Sequence, residues 1–185
     1  MLEGKSRLGG RLCSYTDPRT GAAFDNGEHL ILKGYKATLK LLNLIGAGND
    51  VTFQSRLYIP FFHPQKGLRR LKAPPLPGQS ALPAALINFP LLKITDRFRL
   101  LRRLRKMQSS NPGAVTAGKW LAGIPQSERD NFWQPFIISV MNAVPEEADM
   151  RLVRAALVQG FMTGGGLGFF KLPLSDIFHR KALAA

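Results

Sequence analysis

Ten residues near the start of the chain, Leu2-Glu3-Gly4-Lys5-Ser6-Arg7-Leu8-Gly9-Gly10-Arg11, carry side chains suited to a ribose and a pyrophosphate. Glu3 can accept hydrogen bonds from both ribose hydroxyls, as an acid at the end of the second strand does in dinucleotide-binding folds. Gly9 and Gly10 remove two side chains, so backbone N–H groups can come close to phosphate. Arg11 adds a planar guanidinium that pairs with phosphate in a fork. A second cluster follows at Asp25-Asn26-Gly27-Glu28-His29. Asn-Gly is a tight-turn pair, and Glu28 and His29 beside it are both able to move a proton. By itself His29 reads as a ring that closes a hydrogen-bonded turn, since a lone histidine is more often structural than catalytic.

Other chemistries lack their residues. One cysteine, Cys13, and three scattered histidines, His29, His63 and His179, make no metal-ligand set. There is no Walker loop and no locally supported Ser-His-Asp pattern. Gly164-Gly165-Gly166-Leu167-Gly168 is glycine-rich but fits G-x-G-x-x-G poorly. A dinucleotide fold places a strand, that loop and a helix ahead of its ribose acid, and Glu3 leaves no room for them. The expectation is a chain shortened at its N-terminus.

These residues need a scaffold, and the composition allows one. The chain has 185 residues, 45% of them apolar, which is a globular value. Its 26 basic and 12 acidic residues give a net charge of +14, pointing to an anionic partner. A single cysteine cannot form an internal disulfide, and no apolar signal opens the chain, so a cytoplasmic setting is expected. Leu12–Thr16 and Ala22–Asp25 read as a hairpin around Asp17-Pro18-Arg19-Thr20-Gly21. Lys36–Ile45 reads as a helix with Leu39, Leu42 and either Ile45 or Leu41 on one face, ended by Gly46. Val51–Phe53 and Leu57–Phe62 read as strands, with a turn at Gln65-Lys66-Gly67.

Ala73–Leu92 has no charged residue, but Pro74, Pro75, Pro77, Pro83 and Pro90 forbid a regular spanning helix. Ile94–Met107 is a basic amphipathic helix whose apolar stripe is Ile94, Phe98, Leu101 and Leu104. It reads as the solvated face of a globular helix or as contact with an anionic membrane. Nucleic acid is disfavoured, since no readable motif or series of stacking aromatics accompanies the charge. Beyond Ser109 the pattern is helical, with a broad apolar face over Phe132, Trp133, Phe136, Ile137, Val140 and Met141.

Three strings carry a resemblance. Glu3, Gly9, Gly10 and Arg11 fit E-x5-G-G-R, the second FAD-contacting motif of the flavin amine oxidase and phytoene desaturase superfamily. Asp25 to Tyr35 fits D-N-G-x-H-x-x-x-x-G-Y, and Phe132 to Ala148 fits F-W-x-P-[FL]-x-x-[SA]-x-x-N-x-x-P-E-E-A. Both resemble the hydroxysqualene dehydroxylase family, also described as squalene-associated FAD-dependent desaturases. Asp149 stands where that family usually has Ser, and Lys171–Phe178 departs at its opening from the family's next segment.

The resemblance implies an α+β fold: part of an FAD-binding Rossmann-like domain of the amine-oxidase type over residues 1–50, lacking its first strand and G-x-G-x-x-G loop. Residues 51–185 would be part of a substrate domain, mostly helical after about residue 79. FAD is the implied cofactor, held by Glu3, Gly9, Gly10 and Arg11, with His29 and Glu28 as candidate catalytic groups. The implied reaction is reductive dehydroxylation of hydroxysqualene, an apolar isoprenoid, to squalene in hopanoid biosynthesis. Apart from the resemblance, the residues themselves give the expected location: cytoplasmic, with peripheral contact of Ile94–Met107 on the inner face of the cytoplasmic membrane as the reading beside a solvated helix face. The resemblance also implies truncation at both ends, hence little flavin binding and no activity by this chain alone. Two alternatives stay open: a carotenoid-type desaturase or amine oxidase on the same fold, and a non-enzymatic basic protein that binds membrane or nucleic acid.

Overall fold

The structure is a computed structural model that describes residues 4, 6–27, 29–75, 80–162 and 166–185. It divides into two compact units, residues 1–54 with 167–185, and residues 55–166. The last nineteen residues therefore pack with the N-terminal segment, whereas the sequence reading grouped 51–185 together.

In the first unit, β1 (Ser14–Thr16) and β2 (Ala23–Asp25) form an antiparallel hairpin with Ser14 opposite Asp25. Its turn is held by Asp17, whose carboxylate accepts from the Arg19 amide and the Thr20 hydroxyl, which keeps its pKa below the usual value. A separate sheet places β7 (Leu167–Phe170) between β3 (Ile31–Leu32) and β4 (Val51–Phe53), all antiparallel. Helix α1 (Lys36–Leu44) buries Leu42, and Ile45 follows it into the core. Gly46 ends the helix at φ +68°, with its N–H on the Asn43 carbonyl and that of Ala47 on Leu42. The core joins Ile31, Leu42 and Ile45 to Leu174, Ile177 and Phe178 from the C-terminal helical turns, Asp176–Lys181 and α8 (Ala182–Ala184).

Gly168, the last glycine of the glycine-rich string, has a packing role. It sits mid-sheet, opposite both Ile31 and Phe53. A Cβ there would stand 2.6 Å from a Phe53 ring carbon and 2.7 Å from Ile31 Cγ2. Gly168→Ala is expected to cost about 1–3 kcal/mol as overpacking, read as a lower denaturant midpoint with an unchanged slope.

The second unit opens with the hairpin β5 (Tyr58–His63) and β6 (Gly67–Lys72). Helices α2 (Ala81–Ile87), α3 (Ile94–Ser109) and α4 (Ala117–Leu121) follow. Next come α5 (Gln126–Glu128), a π-type stretch Arg129–Trp133 and α6 (Gln134–Met141), which run on without a break in helical backbone. Asn142 ends that run in the left-handed conformation, φ 50°. Helix α7 (Met150–Ala155) continues into a wider turn over Ala156–Met162. Thr116 caps α4 and Asp149 caps α7, each accepting a backbone N–H with its side chain. The fully buried set includes Leu57, Leu71, Leu86, Phe89, Leu100, Leu104, Trp133 and Ile137.

Helix α3 differs from expectation in its face. The residues buried are Asp96, Leu100, Leu104 and Met107, while Ile94 and Phe98 stay exposed. Neither Thr95 nor Asp96 caps it; Lys93 occupies the capping position without a side-chain bond. Asp96 is instead drawn inward, where it accepts from the Ser127 hydroxyl at 2.6 Å and from Arg99 at 3.2 Å. Every strand pair among the described residues is antiparallel and most of the helices follow one another after residue 80, an α+β arrangement. No helix among those residues is long and apolar enough to cross a membrane.

Candidate functional site

The β1–β2 hairpin presents its open end, not its turn, as the site. Chain enters β1 from the Gly9-Gly10-Arg11-Leu12 turn and leaves β2 into Asn26-Gly27. The turn closes with the Leu12 N–H on the Gly9 carbonyl, 2.9 Å, and that of Cys13 on Arg11, 3.0 Å. Asn26 ties the two strands of chain together. Its backbone N–H donates to Cys13 at 2.8 Å, and its side-chain amide reaches the Arg11 carbonyl at 3.4 Å. Thus two sequence clusters fourteen or more residues apart share one end of one hairpin.

Each glycine has its own reason. Gly9 has φ +95°, and a Cβ on it would lie 2.9 Å from the Leu12 carbonyl oxygen and 3.3 Å from Phe178 Cβ. Protein fills that side, so Gly9 serves the fold. Gly10 has φ +56°, and an added Cβ would meet nothing within 4 Å. Its outer side is open. The turn uses the amides of Leu12 and Cys13 and leaves those of Gly10 and Arg11 without a described partner. The exposed Arg11 guanidinium likewise has no described partner. Two amides without a partner among the described residues, beside an exposed guanidinium, suit an anionic, phosphate-bearing group. The described residues therefore fit the cofactor that the resemblance implies.

His29 is held by its own turn. Its Nδ1 lies 2.7 Å from the Gly27 carbonyl, and since a carbonyl only accepts, Nδ1 carries the proton. Nε2 is then the nitrogen left for another partner. The ring closes the turn, and its Nε2 has no partner among the described residues. Glu3 and Glu28 lie outside the described residues.

The site's support comes from far along the chain. Ser14 N–H donates to Ser175 Oγ at 2.7 Å, and the Ser175 N–H donates to Ser14 Oγ at 3.0 Å. Asp25 accepts from the Ser14 hydroxyl at 2.6 Å and from the Leu174 N–H at 3.0 Å. The Leu8 N–H donates to His179 Nδ1 at 3.1 Å. Asp25 is accordingly a structural anchor of the turn. Sequence reasoning missed the Ser14–Asp25–Ser175 knot, because its halves are 161 residues apart.

A second polar cluster lies in the other unit. Glu128 is fully buried, and it accepts from Trp133 Nε1 at 2.9 Å and from Arg103 at 2.8 Å. Burial pushes its pKa above the ordinary value, outweighing the Trp133 hydrogen bond and the charge of Arg103. All its partners are protein groups, so it reads as a structural buried pair. Among the described residues no three His, Cys, Asp or Glu side chains gather as a metal site.

The comparisons bear on both units. The profile of the family described as "Flavin containing amine oxidoreductase" matches residues 1–170. A hydroxysqualene dehydroxylase of Zymomonas mobilis is 26% identical over 172 residues, covering 89% of this chain and 39% of the relative. One from Rhodopseudomonas palustris is 27% identical over 168 residues, covering 88% and 38%. The chain thus spans about two fifths of the length of these curated relatives.

Proposed function

The chain belongs to the flavin containing amine oxidoreductase family, and from this premise we propose that it serves an FAD-dependent oxidoreductase that converts hydroxysqualene to squalene. The observation that carries the cofactor half is the Gly9–Leu12 turn, with its open Gly10 side and an Arg11 guanidinium that has no partner among the described residues. The two similar hydroxysqualene dehydroxylases support the substrate half. On this reading residues 1–54 belong to a Rossmann-like cofactor domain, and the helical unit of 55–166 belongs to the substrate domain.

Each residue has one task. Glu3 accepts from the ribose hydroxyls. The Gly10 and Arg11 amides and the Arg11 guanidinium hold the anionic part of the cofactor. His29, kept in place by Gly27, presents Nε2; as an imidazolium it donates a proton to the leaving hydroxyl, which departs as water, and Glu28 beside it is the alternative donor. Loss of water leaves an allylic or cyclopropylcarbinyl-type cation on the substrate, which apolar surroundings shield from recapture by solvent. Bound reduced FAD supplies the hydride that quenches this charge.

Arg11→Ala tests the cofactor half. Losing a charge-assisted hydrogen bond to the cofactor is expected to weaken FAD binding about 10- to 100-fold. Flavin fluorescence titration reads this, with the melting temperature unchanged because Arg11 is exposed. Equal affinity in both proteins would remove Arg11 from the site.

A further inference from the structure

We propose that the outward face of α3 docks on an anionic lipid bilayer, with Ile94 and Phe98 entering the headgroup region and Arg102, Arg105 and Lys106 meeting lipid phosphates. The two sides of this helix differ in a telling way. The inward side is spent on the protein: Leu100 and Leu104 are in the core, and Arg103 is paired with Glu128. Arg97 donates to the carbonyls of Leu92 and Ile87, and Arg99 pairs with Asp96. On the outward side, the exposed side chains of Arg102, Arg105 and Lys106 have no hydrogen bond or ion pair with any described residue.

Ile94 and Phe98 lie one turn apart and are 66% and 65% exposed. At about 100° per residue, Phe98 stands roughly 160° round the helix from the buried Leu100. Ile94, Arg102 and Arg105 all fall within about 40° of Phe98 on the same projection. A single exposed apolar residue is ordinary. Two large ones together, ringed by cations with no partner and no acid among them, form a surface that water does not satisfy. Asp96, the helix's one acidic residue, is turned inward and 3% exposed.

The charge selects an anionic occupant, and the apolar pair selects among anionic occupants. A nucleic acid would engage the cations but offers Ile94 nothing, and one Phe is no stacking series. The boundary between headgroups and acyl chains satisfies both. This docking rests on α3 alone and does not depend on the substrate proposed above.

The test is flotation of the full chain with phosphatidylglycerol–phosphatidylcholine vesicles and with pure phosphatidylcholine vesicles. The chain should float with the anionic vesicles only, and the bound fraction should fall as salt is raised toward about 1 M, where screening acts within a few ångströms. Phe98→Ser should lower partitioning about tenfold by removing buried apolar area. Arg102→Ser with Arg105→Ser should lower it about 25-fold, near fivefold per cation. Unchanged melting temperatures, expected at exposed sites, show that the variants fold. The proposal is overturned if the chain ignores anionic vesicles, or if the variants float as well as the parent. It is overturned equally if these side chains prove to mediate only nucleic-acid binding or self-association.

Discussion

Glu128→Ala is expected to destabilise the protein by about 3–5 kcal/mol, the range for removing one partner of a buried, hydrogen-bonded ion pair. Glu128 has no exposed surface, and it accepts from two donors at once. Its removal leaves Trp133 Nε1 fully buried with no acceptor, which alone costs about 1–3 kcal/mol. It also strands the Arg103 guanidinium, whose side chain is 28% exposed, so water recovers part of that loss. Chemical denaturation measures the total, and a loss below 1 kcal/mol would show that the network is not holding the helices.

The same residue makes stability depend on pH in a defined sense. Burial raises the Glu128 pKa in the folded chain, so the folded state keeps its proton at pH values where the unfolded chain has lost it. Stability from this group is complete below its unfolded pKa, near 4.5, and is lost as pH rises through the higher folded value. Glu128→Gln keeps an acceptor for Trp133 and cannot titrate. The parent's advantage over this variant should therefore shrink as pH rises above about 4.5.

His29→Ala is expected to lower kcat about 100- to 1000-fold, the usual contribution of a positioned general acid. Flavin affinity should stay within about threefold, because no phosphate or ribose contact is assigned to this ring. The two roles of His29 separate in the readout. A residue that only closes the Gly27 turn would shift the melting temperature and leave kcat unchanged in the folded enzyme.

What could be read from the sequence was what spacing encodes locally. Gly9 and Gly10 announce backbone that can come close to phosphate, and Asn26-Gly27 announces a tight turn. The hairpin around Asp17–Gly21 follows from turn residues between its arms, and Gln65–Gly67 announces a turn, but the strand Gly67–Lys72 that pairs with β5, in place of Val51–Phe53, is not signalled locally. The helix end at Gly46 follows from glycine's tolerance of positive φ.

What could not be read depends on distant partners. The burial of Asp96 in α3 is decided by Ser127, thirty-one residues on, and it rotates the core face away from Ile94 and Phe98. The knot of Ser14 and Asp25 with Ser175 has no local signal at either end. Gly168 looked like part of a weak phosphate loop and is a strand residue covered by Ile31 and Phe53. In each case a contact across the fold overrides the local pattern.

The central claim is a flavin-dependent dehydroxylation, and product analysis tests it most directly. The full chain would be incubated with hydroxysqualene together with FAD and a chemical reductant under anaerobic conditions, and separately with phytoene or a primary amine together with oxidised FAD and no reductant. Where the sequence alone leads to the expectation of a chain without activity of its own, the proposed function predicts squalene from hydroxysqualene, formed with one equivalent of reduced flavin consumed, and no product from the other two. Oxidation of phytoene or of the amine, with hydroxysqualene returned unchanged, would contradict it.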